Sequence, residues 1–273
     1  MHYVERRPVA RLRPWVEKLW VLRDAPEHTR ERILPSGTLE LVINLHEDEF
    51  RIYDADDATP RARFRGAIVS GAYDRYFGID TREHASIIGV HFAPAGASAI
   101  LGVPAGQLRN AHVELDALWG LDAGALRERL YLAPGVEQRL DLLEAALCAR
   151  LVPTREQLGI GAAVAALERG VPVARVASQA SLSHRRFIQV FQSAVGMTPK
   201  AFARVRRFQR VLAHVRGASA PDWAALAVQG GYCDQSHLIR EFLDFSGLAP
   251  SAFARASGVA VKEHHIALPA SRG

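Results

Sequence analysis

The chain has 273 residues, 49% hydrophobic and 23% charged, enough apolar material for one large core or two of medium size. No apolar run reaches the roughly 18 residues of a membrane span, and the opening MHYVERRPVARLRPW lacks the apolar middle of a signal peptide, so a soluble, cytoplasmic protein with no membrane partner is expected. The net charge of +5 is unevenly placed: residues 155–273 hold 15 Lys and Arg against 7 Asp and Glu (+8), residues 1–154 hold 19 against 22 (−3), which makes a polyanion the natural partner of the basic half.

Along the first half, short runs of β character follow one another. In GTLELVINL (residues 37–45), Leu39, Leu41, Ile43 and Leu45 alternate with Thr38, Glu40, Val42 and Asn44, the period of a half-buried strand. FRIYDA, FRGAIVSGAY and ASIIGVHFAP are further such runs, and DDATPRAR (residues 56–63) between two of them reads as a surface loop. Strands at this spacing predict an antiparallel sheet or barrel. After Pro94 the pattern shifts to small helices, AGASAILG and AGQLRNAHVELDALWG. Val136, Leu140, Leu143 and Leu147 then form an i, i+4, i+7, i+11 stripe on a charged helix, which packs on its own domain or forms a homodimer seam. LVPTREQLG reads as a linker over residues 151–159. The expected division is an N-terminal domain over 1–150, a helical domain over 160–257 and a flexible tail over 258–273.

The helical half contains a repeat. Shifted by 51 positions, SHRRFIQVFQSAVGMTPKAFAR (183–204) aligns with DQSHLIREFLDFSGLAPSAFAR (234–255), with eight of 22 positions identical. Cys233 and His237 align with Leu182 and Arg186, so a duplicated catalytic or metal cluster is not expected. The two cysteines, Cys148 and Cys233, supply neither a disulfide framework nor a CxxC knuckle. Each copy reads as two helices and a short turn. Val173–Ala180 leads into a helix that Ser183 can cap, and Trp223–Gln229 leads through Gly230 and Gly231 into one that Asp234 can cap. This is the helix-turn-helix pattern, whose second helix enters the major groove.

Helical geometry selects the residues that could touch bases. With Leu238 at zero, Phe242 and Phe245 share its face, while Ser236 and Arg240 fall about 160° and 200° away. In the first copy, with Phe187 at zero, Arg185 and Gln189 fall at the same angles. Arg and Gln hydrogen-bond guanine and adenine edges bidentately, and Ser bonds several bases. His184, Gln235 and His237 lie where a base or phosphate contact is available. Between the copies, PKAFARVRRFQRVLAHVRG (199–217) forms one helix with Phe202, Val205, Phe208 and Leu212 inward, started by Pro199 and ended by Gly217. Arg204, Arg206, Arg207 and Arg210 on it are expected phosphate contacts, which give affinity without sequence choice.

The segment 159–255, and LAVQGGYCDQSHLIREFLDFSGLAPSAFAR most of all, resembles the DNA-binding domain of AraC/XylS-family transcriptional regulators: a Gly-aromatic turn, an Asp-x-Ser opening, a recognition-helix Phe and a Gly-x-x-Pro stop. The resemblance implies base-facing positions at Arg185, Ile188, Gln189, Ser236, Ile239 and Arg240. Many relatives carry Arg where this chain has Gln189, so its site preference need not follow theirs. GVHFAPAGASAILGVPAGQL through LDALWG (89–120) is similar to the sensor half of some of these regulators, which implies a cupin-like barrel and thus an α+β chain with an all-α C-terminal domain. It also implies double-stranded DNA, a small-molecule effector, RNA polymerase and a homodimer as partners, activation as the commoner mode, and residence on the bacterial nucleoid when DNA is bound. His46, His84, His91 and His112 lack the HxH spacing with a following Glu of a cupin metal centre, so no metal and no cofactor are expected. The competing class is an enzyme fused to a DNA-binding module. It requires a nucleophilic Cys with supporting groups, and the first half offers only Cys148, with no acid or base beside it; a non-enzymatic regulator is the expectation.

Overall fold

Residues 2–24, 30–54, 59–215, 221–256 and 265–267 are described by a computed structural model of the chain. The N-terminal half begins with the strands β1 (His2–Arg6), β2 (Val16–Arg23), β3 (Arg30–Ile33), β4 (Glu40–Asn44), β5 (Phe50–Tyr53), β6 (Pro60–Phe64), β7 (Ala67–Ser70), β8 (Phe77–Asp80) and β9 (Ser86–Phe92). Then come α1 (Ser98–Leu101), a 3-10 turn (Ala105–Leu108), β10 (His112–Glu114), α2 (Leu115–Trp119), α3 (Leu121–Leu132) and α4 (Val136–Arg150). The C-terminal half has α5 (Arg155–Glu168), α6 (Val173–Gln179), α7 (His184–Val195), α8 (Pro199–Val215), α9 (Trp223–Gly230), α10 (Gln235–Ser246), α11 (Pro250–Ala256) and β11 (His265–Ala267).

The strands form two sheets, β1-β2-β9-β4-β7-β10 and β11-β3-β8-β5-β6, and every pairing among the described residues is antiparallel. Alternation gives the first sheet two apolar faces. Trp20, Leu22, Ile68 and Ile87 meet Ile33, Phe50, Ile52 and Ile79 of the second sheet. Leu19, Val21, Leu41, Ile43, Val69 and Val90 instead join a larger core shared with α1–α4. The N-terminal half is β-rich as expected: two antiparallel sheets face each other with a helical layer behind the first, and no strand pairing joins the sheets among the described residues.

Four local expectations change. Pro60–Phe64, expected largely as loop, is the edge strand β6; proline at its first residue lacks only an N–H that an edge can spare, and the exposed Arg61 and Arg63 charge that edge. The linker shortens to residues 151–154, because Thr154 and Gln157 form a reciprocal capping box that starts α5 at Arg155. Within the expected tail, His265–Ala267 pairs with β3, and His265 Nδ1 lies 2.6 Å from Glu31 Oε2. The stripe on α4 is core: Leu140, Leu143 and Leu147 are fully buried, which removes it as a dimer seam. The predicted end of α8 at Gly217 lies outside the described residues.

The two halves share one continuous apolar core and, besides the β11–β3 pairing, dock at three places among the described residues. The β3–β4 connection sits on α8, where Gln209 donates to the Pro35 carbonyl at 2.5 Å and Arg206 to that of Ser36 at 3.1 Å. The 3-10 turn and Ala72 lie against Gly196, the left-handed residue (φ +93°) that ends α7. Tyr76 lies against Gly247, the left-handed residue (φ +67°) that ends α10. There Arg32 donates to the Ser246 carbonyl at 3.1 Å and lies 4.8 Å over the Tyr76 ring, a cation at a helix C-terminus where the dipole favours it.

Leu143→Ala should lower the unfolding free energy by roughly 2–5 kcal/mol, read from the denaturant midpoint at unchanged oligomeric mass. Gly247→Ala should destabilise more than Gly231→Ala. Both carry roughly the 1–2 kcal/mol cost of a left-handed L-residue, but a Cβ at Gly231 meets nothing within 4 Å whereas one at Gly247 strikes the Tyr76 ring. Equal thermal shifts would show that Tyr76 yields freely.

Candidate nucleic-acid interface

Each helix-turn-helix unit is assembled by a cap and an apolar face. In the first, the Ser183 hydroxyl accepts from the Arg186 N–H at 3.3 Å, and α7 buries Phe187, Val190, Phe191 and Ala194. In the second, Gly231 (φ +77°) ends α9, Tyr232 is buried, and the Asp234 carboxylate accepts from the His237 N–H at 2.7 Å. α10 then buries Leu238, Glu241, Phe242 and Phe245.

What these faces leave outside is the candidate reading surface. Arg185 and Gln189 on α7, with Ser236 and Arg240 on α10, are exposed, and none of the four has a hydrogen bond or ion pair with the described residues. Their numbers differ by 51 in each pair, so the duplicated helices present polar groups at matching positions. His184 and Gln235, in the first turns, are exposed too, while Ile188 and Ile239 are half-buried on the flank. His237 turns toward the protein. Its Nδ1 accepts from the Cys233 N–H at 3.4 Å, its ring stands edge-on to Tyr232 at 5.2 Å, and its Nε2 lies 3.7 Å from Glu241.

The α8 arginines expected at phosphates are all engaged within the chain. Arg204 donates to Glu241 at 2.6 Å and reaches Asp244 at 3.5 Å. Arg207 donates to Glu241 at 2.8 Å and to the Gly231 carbonyl at 3.3 Å. Arg206 pairs with Glu168 at 3.1 Å, and Arg210 donates to the Glu168 carbonyl at 2.7 Å. Burial pulls the Arg204 guanidinium down, but the hydrogen bond and charge of Glu241, with Asp244, outweigh it and hold its pKa above the ordinary arginine value. Burial, with Arg206 nearby, lowers that of Arg210. These four side chains stitch α8 to its neighbours, whereas Arg185, Arg240, Arg169, Arg175, Lys200 and Arg255 are exposed and have no side-chain partner among the described residues. Glu241, the hub of the stitching, escaped the sequence reading. The signal available was a carboxylate, i+4 from His237, at an otherwise apolar face position.

The N-terminal histidines do not converge. His46 is exposed and His84 stands edge-on to Phe50. His91 Nε2 faces Glu40 at 3.4 Å. His112, ringed by Phe64, Tyr73 and Phe77, has Nδ1 2.5 Å from the Tyr73 hydroxyl and a pKa pushed down to about 3 by burial, with the charge of Arg61 adding to it. No group of three or more metal-ligating side chains occurs among the described residues. Cys148 packs, partly buried, against the core of α4, and no described helix is long and apolar enough to cross a membrane. Between the sheets lies a cavity of about 40 Å³ bordered by Trp20, Phe50, Ile68, Glu40 and His84. A cleft of about 430 Å³ separates the halves, lined by Lys18, Thr38 and His91 on one side and Arg206 and Gln209 on the other.

Two family models match separate parts of the chain. Residues 4–114 match a domain of unknown function, DUF6597, and residues 160–256 match a helix-turn-helix domain. No curated protein matches in sequence. Among solved structures, ToxT from Vibrio cholerae is similar: 8% identity over 95% of this chain and 100% of that one, TM-score 0.47. Unsaturated fatty acid bound wild-type ToxT from strain SCE256 gives 11% over 95% and 98%, TM-score 0.45. ToxT from strain O395 gives 10% over 94% and 99%, TM-score 0.44. Two capped units are present and one domain model spans both, so residues 160–256 are a helix-turn-helix domain.

Proposed function

We propose that this chain is an AraC-type, sequence-specific DNA-binding transcription regulator that acts as an activator, with α7 and α10 entering successive major grooves about 34 Å apart and Arg185, Gln189, Ser236 and Arg240 touching base edges. The observation that carries this reading is that these four are exposed, with no side-chain partner among the described residues, at matching positions of the two copies, whereas the α8 arginines are engaged. His184 and Gln235 add first-turn contacts to base or phosphate, and the exposed Lys200, Arg169 and Arg175 add charge. Activation brings RNA polymerase as the protein partner, and the chain works on the nucleoid.

The N-terminal domain, residues 1–150, is the sensor in this reading. A small-molecule effector at the cleft between the halves would bridge Lys18 or His91 and Arg206. Its effect would reach DNA through the loop 71–76, which lies against Gly196 through Ala72 and against Gly247 through Tyr76. Homodimerisation, if this domain supports it, uses a surface other than the buried α4 stripe.

Selection of duplexes from random DNA by the purified chain supplies the operator for two tests. Arg185→Ala and Arg240→Ala should each lower affinity for the selected duplex by roughly 1–3 kcal/mol and relax preference at separate positions in it; equal losses on random duplex would reassign both to phosphate. Tyr76→Ala should change affinity for the selected duplex several-fold while leaving random-duplex affinity unaltered, and an unchanged specific affinity would remove the loop from the proposed relay.

A further inference from the structure

Glu241 is the one acidic side chain on the buried face of either recognition helix among the described residues, and it is 4% exposed. Its Oε1 accepts from Arg204 Nε at 2.6 Å and from Arg207 Nη2 at 2.8 Å, both on α8. Arg207 also donates to the Gly231 carbonyl and lies 4.5 Å over the Tyr232 ring. A single carboxylate therefore ties α10 to the long helix and, through Arg207, to the turn that precedes α10. In the other copy the matching residue is Val190, buried and apolar.

This substitution needs a reason, because a buried ion cluster is a poor source of stability. Desolvating the charges offsets most of their attraction, and here Glu241 Oε2 and Arg207 Nε are buried with no hydrogen-bond partner among the described residues. Val190 demonstrates that an apolar side chain holds a recognition helix in place. What hydrogen bonds add is direction. Apolar contacts tolerate rotation of a helix about its axis, whereas two guanidinium donors fixed on α8 define where the carboxylate, and with it the rest of α10, must point. Arg240 is the next residue along the chain and Ser236 lies on the same outer face.

We infer that Glu241 is a positioning residue for DNA reading. With Arg204 and Arg207 it sets the rotation of α10 that aims Ser236 and Arg240 at the groove, and the two arginines serve this orientation instead of binding phosphate. The inference rests on α10 being a recognition helix.

The test compares, for the full chain, affinity for the selected duplex and for random duplex over a range of salt. The variants are Glu241→Gln, which keeps the shape, Glu241→Val, which copies the first unit, and Arg204→Ala and Arg207→Ala. Both Glu241 variants should lose selectivity by roughly tenfold or more, about the effect of one mismatched base pair, while random-duplex affinity holds or rises as two arginines are released. The arginine variants should lose selectivity with an unchanged salt slope. Wild-type selectivity in folded Glu241→Gln would overturn the inference, as would a salt slope that falls by about one for each arginine removed. Should Glu241→Val fail to fold, Glu241→Gln and the arginine slopes still decide. A wild-type chain that enriches no duplex at all would instead overturn the reading of α10 itself.

Discussion

Two reading helices on one chain are useful only if their mutual position is held, and α8 carries that constraint. Its N-terminal half places Phe202 5.6 Å from Phe191 of α7, and its C-terminal half places Phe208 5.1 Å from Phe242 and 5.0 Å from Phe245 of α10. Phe202, Val205, Phe208, Leu212 and Val215 are fully or almost fully buried, so the helix serves both units as one rigid bar. Close packing of rings in staggered rotamers resists sliding. In the proposed reading everything that meets DNA is referred to this bar, and the β3–β4 connection of the N-terminal half holds it from behind through Pro35, Ser36 and Gly37.

The two units keep one backbone plan and solve its local problems differently. Both helices start on a side-chain cap and end on a left-handed glycine, Gly196 or Gly247. Between those points they diverge. The first turn runs through Ser181 and Leu182, while the second inserts Gly231 at positive φ and a buried Tyr232, whose phenol is pushed well above its usual range by burial and by the adjacent Glu241 charge. Duplication explains the shared plan and separate selection of contacts explains the rest: a unit that must point one way benefits from charged, directional bonds, and a unit already wedged against the 3-10 turn at Ala105–Leu108 can rely on shape.

Much of this was legible in the residues, and the failures have identifiable causes. The turn glycines, the caps at Ser183 and Asp234 and the Phe ladder are local signals, and local signals fix helices well. β2 left no alternation to find because Leu19, Trp20, Val21 and Leu22 are all buried, one face by the second sheet and the other by helices. Pro60 disguised an edge strand, and Pro153 masked the Thr154–Gln157 box that begins at the next residue. The α8 arginines show a different limit. Helical angles reveal which side chains lie on an outer face but not which acid waits on a neighbouring helix, and Glu241 and Glu168 are 37 and 38 residues from Arg204 and Arg206 in sequence.

How the N-terminal half could govern DNA binding follows from where it touches. A ligand shifts a conformational equilibrium only by the difference in its free energy between the two states, so a sensor must contact something that differs between reading and non-reading arrangements. The 71–76 loop meets the ends of both recognition helices at residues that have no side chain. A shift of that loop cannot be absorbed by a rotamer change at Gly196 or Gly247; it has to be met by the helix backbone or by the loop itself. Arg32 strengthens one of these contacts, because its bond to the Ser246 carbonyl joins the N-terminal sheet directly to the last turn of α10. In the proposed regulator the lever arm is therefore short. A displacement of the second sheet at β3 is applied to the end of the helix whose opposite end carries Ser236, with Glu241 holding the rotation between them.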